Sequence, residues 1–167
     1  SPTGLNSICD GDSLMMTATV AGNLTVNYQW YRNAVPIPGA TSATFSAKKS
    51  GTYKVLVTNV ATGCERISAK TIVNKISFSA VLTHEGPLVT CYDDVLFTVN
   101  TTAGPGATFV WLMNGLPIPG ATGVTHLTKS PGNYRVLVTD VNGCTRLSNK
   151  LTIILDCDDK KKRVLNP

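Results

Sequence analysis

Charge is scarce in this 167-residue chain: Asp, Glu, Lys and Arg make up 15% of it, and aromatic residues only 7%. With 43% hydrophobic residues there is enough apolar side chain for packed cores. A polar, disordered polymer is therefore excluded over most of the length. Long hydrophobic runs are missing too. Nothing approaches the ~18–20 consecutive apolar residues that a membrane-crossing helix needs, so membrane insertion is not expected. The opening "SPTGLNSICDGD" has neither the basic start nor the apolar stretch of a leader, and reads as a mature or excised fragment. No G-x-S-x-G elbow, P-loop or H-E-x-x-H motif occurs. The expectation is a protein that is not an enzyme, with no catalytic residues and no cofactor.

The net charge of +5 raises the question of nucleic acid. Residues 1–75 hold seven Lys/Arg against three Asp/Glu, residues 76–155 hold four of each, and the rest of the imbalance lies in the tail "DCDDKKKR". No basic helix or basic–aromatic stripe gathers this charge into a patch, so nucleic acid is not an expected partner.

What is present is a repeat. "PIPGAT" occurs at 36–41 and again at 117–122, an offset of 81 that also relates Trp30 to Trp111 and Tyr53 to Tyr134. "SGTYKVLVTNVATGC" matches "PGNYRVLVTDVNGC" with one residue deleted before the Cys, and Cys9 matches Cys91 after one insertion. The chain reads as two homologous units of about 80 residues, a plausible size for small domains. We place them at 1–75 and 76–156, leaving 157–167 as a tail or the start of a further module.

Within each unit the apolar period is two. "LMMTATV" puts Leu14, Met16, Ala18 and Val20 on one face, and "VLFTV" does the same with Val95, Phe97 and Val99. "YKVLVT" and "YRVLVT" alternate likewise. Short alternating runs bounded by Gly, Asn and Pro are strands. Met15 and Met16 are adjacent and point to opposite faces, which suits core filling rather than a cofactor box. The fold class is all-β, two β-sandwiches in tandem.

"YQWYRNAVPIPGAT…SGTYKVLVTN" resembles the C-strand tryptophan, hairpin and F-strand tyrosine of an immunoglobulin-like domain. More closely, the pattern resembles the tandem immunoglobulin-like repeats of large secreted or cell-surface proteins of gliding or polysaccharide-degrading bacteria. The elements are a Cys before "GDS", a Trp followed by I-P-G-A-T, G-x-Y-x-V-x-V-T, and a late Cys followed by Ser. They span about residues 5–155. The resemblance implies an immunoglobulin-like sandwich with Trp30 and Trp111 in the core and Tyr53 and Tyr134 as corner tyrosines. Asn-Ala and Asn-Gly suit tight hairpins, and the Ile between the two prolines can dip against the sandwich. The loop is duplicated because the domain is.

The cysteines depart from the antibody pattern, in which the strand-F Cys lies two residues after the corner Tyr; here Val55 and Val136 stand there. Four repeat cysteines allow three pairings. The tandem repeat favours Cys9–Cys64 and Cys91–Cys144, each closing a loop of some 55 residues. A shared metal site is the rival, but no CxxC or Cys/His spacing occurs and His84 and His126 are isolated, reading as surface or edge residues. No metal is expected. Asp10/Asp12 and Asp93/Asp94 read as turn and edge solvation rather than a calcium site. Cys157 is the odd one, read as belonging to a following module. Structural disulfides imply an oxidising compartment, hence secretion or the cell surface.

Tyr31 and Leu112 follow the Trp directly and should face away from it. Tyr31 is therefore the aromatic expected to be exposed, and the one ligand-contacting candidate. The resulting expectation is a non-catalytic spacer, stalk or adhesive module of a bacterial surface or secreted protein. Its partners would be a protein or glycan surface ligand and neighbouring domains of a longer chain. The alternative is a carbohydrate-binding accessory module of a polysaccharide-degrading enzyme.

Overall fold

A computed structural model describes residues 4–157. They form strands throughout and divide into two compact units between Ile76 and Ser77. In the first unit the strands are β1 (Gly4–Cys9), β2 (Leu14–Thr17), β3 (Val26–Arg32), β4 (Val35–Pro36), β5 (Thr44–Ala47), β6 (Gly51–Asn59), β7 (Glu65–Ile67) and β8 (Thr71–Ile76). One sheet runs β1-β8-β6-β3-β4 with β7 also on β6, and the other is the pair β2-β5. β1 lies parallel to β8, while the remaining pairs are antiparallel.

The second unit comprises β9 (Ala80–Glu85), β10 (Val89–Thr90), β11 (Val95–Thr101), β12 (Thr108–Met113), β13 (Leu116–Pro117), β14 (Thr125–Thr128), β15 (Gly132–Thr139), β16 (Thr145–Leu147) and β17 (Leu151–Leu155). Its large sheet, β10-β17-β15-β12-β13 with β16 on β15, repeats the first. The facing sheet has three strands, β14-β11-β9. In each unit the C strand (β3, β12), short C′ strand (β4, β13), F strand (β6, β15) and two-part G strand (β7 with β8, β16 with β17) make one sheet, and the B strand (β2, β11) and E strand (β5, β14) lie in the other. That is the immunoglobulin-like sandwich, present twice.

The period-two runs supply the cores. Met16, Ala47, Trp30, Tyr53, Val55 and Val73 are buried between the sheets of the first unit, with Trp30 stacked on Phe45 at 5.7 Å. Val95, Phe97, Trp111, Tyr134, Val136, Val138 and Ile153 fill the second. The indole fills the gap between sheets ~10 Å apart, and its N–H must find an acceptor there. Trp30 Nε1 donates to the Ser42 carbonyl at 2.9 Å and Trp111 Nε1 to that of Gly123 at 2.8 Å.

Those acceptors lie just past the duplicated "PIPGAT" loop, whose role is now explicit. Ile37 N donates to the Trp30 carbonyl (2.8 Å), Trp30 N donates to Ala40 (3.0 Å), and Ala40 N closes a turn on Ile37 (3.2 Å). Pro38 and Gly39 occupy the centre of that turn, and Gly39 has φ +71°, the pairing a type II turn requires. Ile37 packs against the core. Ile118, Ala121, Trp111 and Gly120 reproduce each of these features. The loop replaces a longer C′ strand, satisfying both backbone groups of the Trp.

The G strands are broken at a serine. In the first unit Ser68 N donates to the Val55 carbonyl and its Oγ accepts from Val55 N at 3.0 Å. Ser148 does the same to Val136, also at 3.0 Å for Oγ. The hydroxyl takes over a ladder position so that β7 and β8, and likewise β16 and β17, pair successive halves of one F strand.

The expected bridges Cys9–Cys64 and Cys91–Cys144 are not the ones formed. Cys91 is bonded to Cys157, Cα to Cα 4.6 Å, and Cys64 carries an exposed free thiol. Strand direction explains both corrections. β10 runs parallel to β17 with Thr90 beside Leu155, so the residues just beyond the two strand ends meet. Cys144 sits at the opposite end of the sheet, in the β15–β16 turn, where its amide is held by Asp140 Oδ1 at 2.8 Å. In the first unit Cys9 pairs in register with Ile76, whereas Cys64 lies in the distant β6–β7 turn. Cys157 therefore closes its own sandwich rather than opening a following module. The remainder of the tail, 158–167, lies outside the described residues.

Candidate functional site

The large sheet of the first unit turns its outer face to solvent, and the strand register decides what stands on it. Trp30, Tyr53 and Val55 point inward, so Tyr31, Lys54 and Leu56 point outward. Tyr31 is directly opposite Lys54, and Leu56 is opposite Ile67 of β7. With Thr52 and the hairpin residues Asn33 and Ala34 they enclose a groove of about 510 Å³. A phenol ring and an ammonium group flank an aliphatic floor. Such a surface can receive an amphipathic group, with the ring and Leu56 against its apolar side and the phenolic hydroxyl and Lys54 available for hydrogen bonds.

The hairpin beside the groove is fixed by local chemistry. Asn33 and Ala34 both adopt positive φ (50° and 65°), as do Asn114 (52°) and Gly115 (86°), which gives the two-residue turn that matches strand twist. Asn33 Oδ1 accepts from Thr52 N at 2.9 Å, and Asn114 Oδ1 accepts from Asn133 N at 2.9 Å. Each asparagine thereby pins the hairpin to the start of its F strand.

The matching face of the second unit differs. Leu112 takes the place of Tyr31, opposite Arg135, and a smaller groove of about 260 Å³ is lined by Leu112, Asn114, Gly115, Asn133, Arg135 and Lys150. Tyr31 itself is half-buried against its neighbours. The most open aromatic is Tyr92, 58% exposed, which corrects the expectation that Tyr31 is the exposed one. Strand alternation predicted the face of Tyr31 but not the side chains that flank it.

The acids and histidines occupy separate places. Asp10 pairs with Lys75 at 2.6 Å, Asp94 with Lys129 at 3.6 Å, and Asp93 accepts from Thr90 Oγ1 at 2.9 Å. His84 is exposed. His126 is not a simple edge residue: it is half-buried, 5.3 Å from the Trp111 ring and 6.1 Å from Tyr134, and burial lowers its pKa below the ordinary 6.5. Among the described residues no three His, Cys, Asp or Glu side chains converge as a metal set, and no helix is long and apolar enough to cross a membrane.

Strand order, the inward Trp and the corner Tyr define the class: tandem immunoglobulin-like sandwiches. No protein-family model matches the chain, and no curated relative does. Among solved structures it is similar to Sidekick-1 immunoglobulin domains 1–5, with 16% identity over 95% of this chain and 38% of that one, TM-score 0.41. It is also similar to murine CEACAM1b, with 11% identity over 90% and 96% of the two chains, TM-score 0.43. A third is the three N-terminal domains of the bacteriophage RB49 Highly Immunogenic Outer Capsid protein, with 20% identity over 86% and 54%, TM-score 0.42. The chain spans 38% of the length of the Sidekick-1 fragment. The fold assignment rests on topology and register, not on these scores.

Proposed function

We propose that the chain is a non-catalytic, extracellular tandem module of a bacterial surface or secreted protein, serving as a spacer and adhesive segment of a longer chain. The observation that carries this reading is the division between frame and face. The two units repeat the same sheet order, Trp–loop hydrogen bonds and serine-broken G strand, while their outward residues differ, Tyr31 against Leu112 and Lys54 against Arg135. A duplicated frame builds length, and a variable face carries contact. The Cys91–Cys157 bridge fits secretion or the cell surface. A protein surface would meet the groove at Tyr31.

A carbohydrate-binding accessory module is the second reading, favoured by one observation, the Tyr31 ring over an apolar floor. Affinity electrophoresis in gels containing soluble polysaccharides, with a glycan array alongside, separates the two. The spacer and adhesive reading expects no glycan binding tighter than millimolar. Saturable retardation that vanishes in Tyr31→Ala replaces it with the carbohydrate module.

A further inference from the structure

In the first unit β4 ends the large sheet and β5 ends the small one, so the sandwich is open on the side between them. The second unit is open on the same side, with β13 and β14 as its end strands, and the opening therefore belongs to the fold. In the first unit Val35 and Pro36 of β4 and Phe45 and Ser46 of β5 line a groove there of about 540 Å³. Three cations from two separate stretches of chain meet at it: Arg32 at the end of β3, and Lys48 and Lys49 just after β5. No acidic residue lines the groove. Among the described residues none of the three cations has a carboxylate partner.

Two of these cations are placed by the frame. The stem of Arg32 lies over Gly51, where an added Cβ would come within 2.8 Å of the arginine Cγ. The Lys49 carbonyl is held by the Tyr53 hydroxyl at 2.8 Å, which fixes the backbone that carries its side chain. The second unit keeps this frame and discharges it. At the repeat offset Met113 replaces Arg32 and Ser130 replaces Lys49. Lys129, the counterpart of Lys48, is paired with Asp94 at 3.6 Å, and Ser13 stands at the position of that acid in the first unit. Like charges gathered without a counter-charge give the fold nothing, but they focus a positive potential on an anion entering the groove.

The lining also selects the kind of anion. Ammonium and guanidinium groups only donate hydrogen bonds. The amide oxygen of Asn33 is already taken by Thr52 N at 2.9 Å. A ligand rich in acceptors is therefore matched, whereas sugar hydroxyls, which also donate, find few partners. Nor is a ring presented for a sugar to stack on: Phe45 and Tyr53 pack on each other in the core at 5.9 Å, and Tyr53 is 2% exposed. The open wall is aliphatic, made by Val35, Pro36 and Pro38, with Val35 64% exposed. We infer that this groove binds an acidic peptide segment of a partner protein, with carboxylates on Arg32 and the two lysines and an apolar side chain between them against Val35 and the prolines. Apart from Asn33, which lines both, the site shares no residue with the groove at Tyr31.

The probe is the fluorescein-labelled peptide "GEDLDEG", titrated against the full chain by fluorescence anisotropy at low and high salt. Saturable binding that weakens with salt is expected. Arg32→Met and Lys49→Ser, each copying the second unit, should weaken it about tenfold, the effect of losing a hydrogen bond between charged groups. Ser13→Asp, which gives Lys48 the neighbour that Lys129 has, should do the same. Lys48→Gln provides a further variant at an exposed position, where the fold is insensitive to the change. Tyr31→Ala and the distant, exposed Lys70→Gln should leave binding unchanged. No saturable binding up to millimolar peptide overturns the inference, as does equal binding of the amide version "GQNLNQG". A loss in Lys70→Gln equal to that in Lys49→Ser would reduce the effect to net charge, and a loss confined to Tyr31→Ala would move it to the other groove; either overturns the site. Retardation by alginate in affinity electrophoresis that disappears in Arg32→Met, without peptide binding, overturns the peptide in favour of an anionic glycan.

Discussion

The Tyr134 hydroxyl donates to the Ser130 carbonyl at 2.9 Å, and the Tyr53 hydroxyl donates to Lys49 at 2.8 Å, each tying its F strand to the loop that enters it. The Tyr134 oxygen also meets Thr128 Oγ1 at 3.1 Å. Removing the hydroxyl leaves that partly buried carbonyl without its donor. Tyr134→Phe is expected to cost about 1–2 kcal/mol and Tyr53→Phe somewhat less, because Ala47 stands in the first unit where the second has Thr128. Urea unfolding, with amide exchange resolved by unit, measures both. Equal or negligible losses would mean that these corners only occupy space.

The cysteine assignment is tested by alkylation of the folded protein without reductant, followed by peptide mapping. One label is expected, on Cys64, and Cys91 should be recovered joined to Cys157. With a sequence separation of 66 between its ends, that bridge is worth about 4 kcal/mol on the chain-entropy estimate, so Cys157→Ser should lower the stability of the second unit by that order while Cys64→Ser changes little. A label on Cys157 would restore the view that it serves a following module.

How far the sequence reveals these features depends on range. The alternation of "YKVLVT", the Trp–loop spacing and the Asn-led hairpins are local, and each leaves a signature in a few consecutive residues. Cysteine pairing is not local. It follows from β1 and β10 running parallel to the last strands of their units, and nothing near Cys9 or Cys91 announces that direction. His126 was within reach: at the repeat offset it corresponds to Phe45, an aromatic packed on Trp30, which points to a ring packed on Trp111.

The position of His126 gives the second unit a pH dependence. Burial beside Trp111 depresses its folded pKa, so on acidification the unfolded chain takes up the proton first, near pH 6.5. The stability due to neutral His126 is complete above that pH and falls as pH drops below it. Thermal melts at pH 7.5 and 5 should show a loss for the native protein that shrinks in His126→Phe, which copies Phe45. An unchanged difference would place the sensitivity in the carboxylates.

Ala34 is the strained member of the two hairpins. It holds φ +65° with a Cβ, where Gly115 holds +86° without one. The left-handed conformation costs a non-glycine residue about 1–2 kcal/mol, partly offset by the extra freedom Gly gains in the unfolded chain. Ala34→Gly should stabilise the first unit by about 0.5–1 kcal/mol, and Gly115→Ala should destabilise the second by a similar amount. Melting temperatures moving in the same direction would refute the argument.

The two G-strand serines offer a comparison in which chemistry is constant and only burial differs. Ser68 Oγ and Ser148 Oγ each accept a backbone N–H, from Val55 and Val136, at 3.0 Å. Ser148 is 3% exposed, next to Asn149, whose amide holds Leu82 of β9, whereas Ser68 lines an open groove of the first unit. Replacing either by Ala removes the acceptor. In the second unit the Val136 amide is sealed from water and bears its desolvation cost, about 1–3 kcal/mol. In the first unit water can enter the groove and serve Val55, so the loss should stay below about 1 kcal/mol. Denaturant titration of Ser68→Ala and Ser148→Ala reads the difference. A Ser68→Ala penalty as large as that of Ser148→Ala would show that the groove is closed in solution.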